Sequence, residues 1–335
     1  MQLRGMVSTL ERRGPDGVAT ILLGPFAVGH TRLAIIDLVT GDQPVFNESR
    51  SIACVLNGEI YNYAELRREL IDRGHSFATR SDTEVIVHLY EELGEGVFDR
   101  LVGMFAIAIA DLHRRRLVVG RDRVGEKPLY YLDNPGLFCC ASEVKALLQH
   151  PASSADIDRV ALSQFLRHGY VPGPRSIYES FRRLSPGHYA VVEEAGTTVK
   201  RYWEIRLRPG PARRRQQEEL LEQLRAKLAS AVNSQLVADV PVGIFLSGGL
   251  DSSAVLASAA RSAQEPMRTF AVGFGTDISE LPYARQVAQR FGTVHTELNV
   301  SPRTDDLEAV LRYLDEPFTN NSSFPTNLLS RAAMD

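Results

Sequence analysis

The run Val242-Gly243-Ile244-Phe245-Leu246-Ser247-Gly248-Gly249-Leu250-Asp251-Ser252-Ser253 constrains this chain more than any other stretch. Its apolar start is the length of a buried strand, and its polar end is typical of a helix start. Two consecutive glycines between them allow a sharp turn and let backbone amides approach an anion. The helix that follows presents unpaired N–H groups and the positive end of its dipole. Ser247, Ser252 and Ser253 add hydroxyl donors. Asp251 repels a phosphate unless a cation lies between them, so it is the expected Mg²⁺ ligand. No lysine stands where a Walker loop requires one, which excludes an ordinary kinase or GTPase site. A plain helix cap would explain a lone Ser-Gly-Gly. It does not explain the whole run at the carboxyl end of a strand, where parallel sheets bind ligands.

The surrounding pattern alternates helix and strand. Leu220, Leu224, Leu228, Val232 and Leu236 recur every four residues and predict a helix with one buried stripe. Strands are expected at 242–246, 268–274 and 294–298, and helices at 251–261, 281–291 and 305–314, which implies a doubly wound parallel sheet. Arg206 to Gln217, with its prolines and arginines, reads as a linker. Ahead of it the chain is β-rich, with strands expected at 18–23, 26–37, 52–56, 102–110, 116–120 and 137–140. Helices are expected at 65–73, 83–93 and 156–167, with Ser81 and Glu84 as a capping box. A hairpin of 188–193 with 199–203 closes this half.

A net charge of −3 gives no reason to expect nucleic acid or an anionic membrane as partner. The arginine runs 114–116 and 213–215 read as solvated faces. Cys54, Cys139 and Cys140 have neither a disulfide framework's pattern nor zinc-ligand spacing. No apolar run is long enough to span a membrane, and a reducing cytoplasm is the expected compartment.

Several motifs ahead of the linker narrow the reading. Arg13-Gly14-Pro15-Asp16-Gly17, the segment His30 to Asp37, Asn57-Gly58-Glu59-Ile60-Tyr61-Asn62-Tyr63 and Ser81-Asp82-Thr83-Glu84 resemble the glutaminase domain of class II amidotransferases. Arg121-Asp122-Arg123, Gly125 to Tyr131, Ser142-Glu143-Val144-Lys145 and Asp315-Glu316-Pro317-Phe318 are similar to the glutamine-dependent asparagine synthetases. The loop at Ser247 resembles that of the N-type ATP pyrophosphatases. This resemblance implies an Ntn-hydrolase-like α/β/β/α domain at 1–205, a linker at 206–217 and a HUP-like pyrophosphatase domain at 218–335.

The same resemblance implies roles. Arg32 would grip the α-carboxylate of glutamine as a fork, and Asp82 its ammonium. Asn57 and the Gly58 N–H would form an oxyanion hole, and Glu59 would line the pocket. Leu246, Ser247, Gly248, Gly249, Asp251, Ser252, Ser253, Val272 and Gly273 would hold ATP and pyrophosphate, with Leu246 and the strand 271–274 against adenine and ribose. The substrates would be aspartate, glutamine and Mg-ATP, and a homodimer is compatible with the family. The family's nucleophile is an amino-terminal cysteine, which this sequence does not show. It also ends before the family's second acid-rich loop and catalytic lysine. The expectation is therefore a chain truncated at both ends and inactive as a glutaminase. Two rivals keep the motifs: a β-lactam-synthetase-like or peptide-cyclising enzyme that activates another carboxylate, and an inactive paralogue.

Overall fold

The computed structural model describes residues 2–207, 217–275, 279–301, 308, 310–320 and 322–334. Most of the expected linker 206–217, the arginine run 213–215 and most of the helix expected at 305–314 lie outside the described residues. The chain divides into two compact units: Met1–Arg206 with Asp315–Phe318, and Leu207–Leu314 with Thr319–Asp335.

Unit 1 opens with α1 (Gln2–Ser8) and the hairpin β1 (Gly17–Leu23) and β2 (Phe26–Arg32). β3 (Val45–Phe46) and β4 (Ile52–Ile60) lead into α2 (Tyr63–Asp72), α3 (Glu84–Leu93) and α4 (Val97–Arg100). Next come β5 (Gly103–Asp111), β6 (Arg116–Arg121), β7 (Tyr130–Asn134), β8 (Leu137–Ala141), α5 (Val144–Leu147) and α6 (Arg159–His168). β9 (Arg182–Arg183) and the hairpin β10 (His188–Glu193) and β11 (Gly196–Arg201) complete it.

The main sheet is six-stranded and antiparallel, in the order β11-β10-β6-β5-β4-β3. Its layering follows from alternation on β5, where large and small residues take turns. Phe105, Ile107 and Ile109 join Cys54 and Leu56 of β4 in a core closed by Leu66, Leu70, Ile86, Leu89 and Phe98 from α2, α3 and α4. Ala106, Ala108 and Ala110 face the other way, and their small size lets a second β layer approach. That layer is the β1-β2 pair, through Ile21, Leu23, Phe26 and Val28, together with the β8-β7-β9 sheet, through Tyr131, Phe138 and Cys140. Met6 of α1 and Leu147 of α5 pack with Leu132 of β7 on the far side. The order is helices, sheet, sheets, helices.

Three local expectations are corrected. Ser81 and Glu84 do not form a capping box. Ser81 Oγ accepts from Thr83 N, while Glu84 turns back to accept from Ala78 N and Thr79 N, each at 2.7 Å, because that preceding loop otherwise leaves these amides unpaired. The helix expected from Asp156 starts at Arg159, since Asp158 is its cap and accepts from Val160 N and Ala161 N. Arg116 is not a solvated arginine. It lies beside acids at the foot of β6, with its guanidinium 2.7 Å from Glu95 and 2.8 Å from the Tyr90 hydroxyl.

Unit 2 contains α7 (Gln217–Ser234), β12 (Gly243–Phe245), α8 (Leu250–Ala259), β13 (Arg268–Gly273), α9 (Leu281–Phe291), β14 (Val294–Asn299) and α10 (Ser323–Met334). The strands form a parallel sheet in the order β12-β13-β14. Ile244, Leu246 and Ala271 pack with Leu256 and Ala259 of α8 and Leu281, Ala284 and Ala288 of α9. The stripe expected to be buried along α7 is only partly so. Val232 and the following Leu236 pack on this core, whereas Leu220 and Leu224 stay exposed because the core reaches only the helix's last turns.

Candidate functional site

The first cluster of expected site residues lies in unit 1. Asn57, Gly58 and Glu59 are consecutive on β4, opposite Ala106, Phe105 and Met104 of β5. Gly58 has φ +142°, and a Cβ there would stand 1.9 Å from the Met104 carbonyl oxygen. Only glycine fits, which lets the β5 backbone approach closely beside Asn57 while the pairing runs on unbroken. The Asn57 side-chain amide donates to Ser142 Oγ at 3.2 Å.

Glu59 and Asp82 come together, though far apart in sequence, and share a side-chain hydrogen bond. Asp82 is buried, and its Oδ2 accepts from Ile60 N at 2.8 Å. Burial first, and the Asp82 charge second, push the Glu59 carboxyl up to about 8. Burial also raises Asp82, against the hydrogen bonds it accepts from Ile60 N, Ser81, Thr83 and Glu59. Two carboxyls so placed do not both ionise near neutrality; Glu59 keeps a proton and donates it to Asp82. An ammonium group arriving here would release that proton.

Arg32, at the end of β2, is buried with its guanidinium engaged. It donates to Asp42 Oδ1 at 2.8 Å and to the Asp37 carbonyl at 2.5 Å. The Asp42 carboxylate is 84% exposed, so it can yield its place to another carboxylate at little cost.

Several residues that organise this cluster were given no role from the sequence, although Asp37 and Asp122 lie within its motifs. Asp37, at φ +55°, accepts from Thr40 N at 2.9 Å and from Arg80 N at 2.8 Å, tying the turn after β2 to the loop that carries Asp82. Gln43 accepts from Leu56 N at 2.7 Å and donates to Thr83 Oγ1 at 3.3 Å. Asp122 accepts from Gly125 N, Glu126 N and Lys127 N between 2.6 and 3.0 Å and so folds the loop after β6. The Asp37-x-x-Thr40 spacing is a turn signal that could have been read; Gln43 carried none. Burial pushes the Cys54 and Cys140 thiols up, Cys140 to about 12, and neither is a ready nucleophile.

Asp315 and Glu316 also belong to unit 1. Asp315 accepts from Val144 N at 2.6 Å and lies 3.3 Å from Lys145 Nζ. Glu316 accepts from Ile177 N at 2.7 Å and from the Tyr130 hydroxyl at 3.0 Å, and pairs with Arg183.

The second cluster is the glycine turn of unit 2. Leu246 is buried and its N–H donates to the Phe270 carbonyl at 2.8 Å, prolonging the β12-β13 ladder by one bond. Gly248 has φ +79°, and a Cβ there would fall 2.5 Å from Ala284 N. Gly249 is the N-cap of α8, and Ser253 N makes the first helical bond back to it at 3.0 Å. The amides of Leu250, Asp251 and Ser252 therefore have no partner one turn earlier in the helix. Ser247 and Ser252 meet through their hydroxyls at 3.0 Å, and Ser247 Oγ accepts from Gly249 N at 3.3 Å. Asp251 stands exposed in the first turn. Val272 and Gly273 close β13, the middle strand, and a Cβ on Gly273 would meet Leu281 at 2.5 Å.

The family described as glutamine amidotransferase domain matches residues 1–203, and the family described as asparagine synthase matches 223–335. The Bacillus subtilis (strain 168) glutamine-hydrolysing asparagine synthetase 3 is 34% identical over 93% of this chain and 54% of its own length. Asparagine synthetase 2 of that organism is 39% identical over 81% of this chain and 37% of its own length. Asparagine synthetase 1 is 32% identical over 99% and 52%. The chain thus carries a glutamine amidotransferase domain followed by asparagine synthase sequence. It belongs to the glutamine-hydrolysing asparagine synthetase family. It spans about half the length, or less, of these relatives.

Proposed function

We propose that the enzyme to which this chain contributes amidates L-aspartate to L-asparagine, with ATP as the activating substrate and glutamine as the ammonia source. Unit 1 is read as the Ntn-type glutaminase domain, over 1–205. Unit 2 is read as the start of a HUP-like ATP pyrophosphatase domain, from 218 on. The observation that carries this reading is the turn at Gly248-Gly249. It delivers free helix amides and two serine hydroxyls to one open spot at the carboxyl end of a parallel sheet.

In this reading the aspartate β-carboxylate attacks the α-phosphorus of ATP, forming β-aspartyl-AMP and releasing pyrophosphate. The amides after Gly249, with Ser247, Ser252 and Ser253, stabilise the charge that grows on the leaving pyrophosphate. Asp251 fits a Mg²⁺ site: an exposed carboxylate beside the phosphate spot, in keeping with a cation that binds through one carboxylate, waters and substrate phosphates. Bound there, Mg²⁺ would neutralise phosphate charge. Leu246, just past the end of β12, and Val272 and Gly273 at the end of β13 would flank the nucleoside.

On the glutamine side, Arg32 takes the α-carboxylate in place of Asp42, and the Glu59–Asp82 pair takes the ammonium. Asn57 Nδ2 and Gly58 N–H point to an oxyanion hole. The ammonia released attacks the acyl carbon of β-aspartyl-AMP, expelling AMP. The reducing cytoplasm is the compartment this reading assigns. Among the described residues no helix is long and apolar enough to cross a membrane.

The test is exchange of labelled pyrophosphate into ATP by the enzyme carrying this chain. Exchange should require aspartate. Exchange driven by another carboxylic acid would overturn the asparagine assignment and favour a relative that activates a different substrate.

A further inference from the structure

Away from both clusters, two histidines and two glutamates from three separate segments meet in unit 1. Glu48 lies in the turn between β3 and β4, His75 just after α2, and His88 and Glu91 on α3, one turn apart. One donor atom from each lies within 4.8 Å of all the others. His88 Nδ1 is 3.4 Å from Glu48 Oε2 and 3.5 Å from Glu91 Oε2. His75 Nδ1 is 3.6 Å from Glu48 Oε1 and 3.7 Å from Glu91 Oε2.

A second observation singles this group out from an ordinary acidic patch. The His88 side chain is fully buried, and neither ring nitrogen has a hydrogen-bond partner. An imidazole is rarely buried without one. Here its Nδ1 faces two carboxylate oxygens at distances too long or too bent for hydrogen bonds.

The outer contacts are those that a metal-binding histidine needs. His75 Nε2 is 3.3 Å from Glu92 Oε1 and His88 Nε2 is 3.7 Å from Glu84 Oε1, so each ring has a carboxylate behind it to orient it. Glu48 Oε1 accepts from Ser76 N at 2.8 Å, and Glu91 Oε1 accepts from Asn47 Nδ2 at 2.7 Å. Each glutamate is held by one oxygen and offers the other. A tetrahedral cation with ligands at about 2.0–2.1 Å needs donors about 3.3 Å apart. The four histidine–glutamate separations of 3.4 to 3.7 Å are close to that, and the remaining pairs, all within 4.8 Å, must draw in further. Two imidazoles with two carboxylates suit zinc, not the all-oxygen shells of Mg²⁺ or Ca²⁺.

We propose that Glu48, His75, His88 and Glu91 form a structural site for a zinc-class divalent cation, with both histidines ligating through Nδ1. The cation clamps the β3–β4 turn and the end of α2 onto α3. It neutralises the two carboxylates and supplies the partner that His88 Nδ1 lacks. His75 and Glu91, each partly exposed, line the way in.

The test strips the full chain with a strong chelator, removes the chelator and titrates zinc against a chromogenic competitor, with thermal melting alongside. The expected result is one zinc per chain, not displaced by millimolar Mg²⁺, with a melting temperature that rises on zinc addition. X-ray absorption should then show only nitrogen and oxygen ligands. His75→Ala and Glu91→Gln should each lower zinc affinity by at least 10-fold and abolish the zinc-dependent rise in melting temperature. Glu92→Gln, which removes the carboxylate behind His75 together with its ion pair to Arg73 and leaves all four ligands in place, should cost about 10-fold. Because His88→Ala risks misfolding, the partly exposed His75 carries the decision. No zinc uptake by the wild-type chain overturns the proposal. So does stoichiometric zinc that survives both His75→Ala and Glu91→Gln, or sulfur in the first shell.

Discussion

The two candidate substrate sites are built by opposite means. In unit 1 the candidate glutamine cluster is made of polar and ionisable side chains, half-buried or buried, each already held by another protein group: Arg32 by Asp42, Glu59 by Asp82, Asn57 by Ser142. In unit 2 the phosphate cluster is made largely of backbone at an open turn, with Asp251 and the hydroxyls at its rim. A buried carboxyl without a substrate must be neutralised, so unit 1 stores a proton and an ion pair in its stead. Helix amides at a surface turn need no such stand-in, because water satisfies them. One site is therefore expected to respond to pH and to its own internal partners, the other to backbone geometry.

The largest effect that can break this contrast is at Gly58. Alanine there needs a disfavoured φ and displaces the Met104 carbonyl, so Gly58→Ala should cost roughly 3–5 kcal/mol of unit 1 stability. Trp203, the chain's one tryptophan, lies in unit 1, so its fluorescence during urea unfolding follows this unit. An unshifted midpoint would refute the close approach.

Next comes the turn of unit 2. Gly248→Ala meets Ala284 N and needs φ +79°, so ATP–pyrophosphate exchange should fall by about 10²-fold or more. Asp251→Ala should reduce exchange similarly, with the loss not recovered at high Mg²⁺. Full exchange by Asp251→Ala would remove its metal role.

A smaller effect distinguishes the sites by pH. Glu59 titrates near 8 in the folded chain, above its value in the unfolded chain. Between those values the folded state holds a proton that the unfolded state has lost, so this pair lowers stability as pH rises towards 8. Glu59→Gln should flatten that slope, seen by comparing urea midpoints at pH 5 and pH 8 with the parent. Glutamine affinity, measured by calorimetry, should rise with pH over the same range, because the ammonium replaces the proton. A pH-independent affinity would mean that the ammonium binds elsewhere. The smallest effect is at the exposed partner of Arg32. Asp42→Ala should change stability by no more than about 0.5 kcal/mol and should leave glutamine binding unchanged or tighter. Weaker binding would show that Asp42 supports the pocket and does not merely occupy it.

Much of the architecture was legible because it depends on local pattern. The strand expected at 102–110, which is β5, and the strand-glycine-helix run at Gly248 rest on patterns confined to short stretches. α9 occupies the span 281–291 that its apolar period predicts. Legibility failed where a tertiary partner decided. Glu84 is placed like a capping-box residue but is claimed by the backbone of 78 and 79. Leu220 and Leu224 have the period of a buried stripe, yet the described core ends before it reaches them. Arg116 sits in a basic run and is drawn in by Glu95 and Tyr90.

By itself the sequence determined the family, the two-part order of motifs and the nature of the glycine turn, since each rests on residues adjacent in the chain. Only the tertiary structure decided which carboxyl faces which. Glu59 meets Asp82 across the fold, and Glu48, His75, His88 and Glu91 converge from three segments with no spacing to announce them. The physical reason is burial: a charge or an imidazole enclosed by distant segments takes its protonation and its partners from whatever the fold brings within a few ångströms.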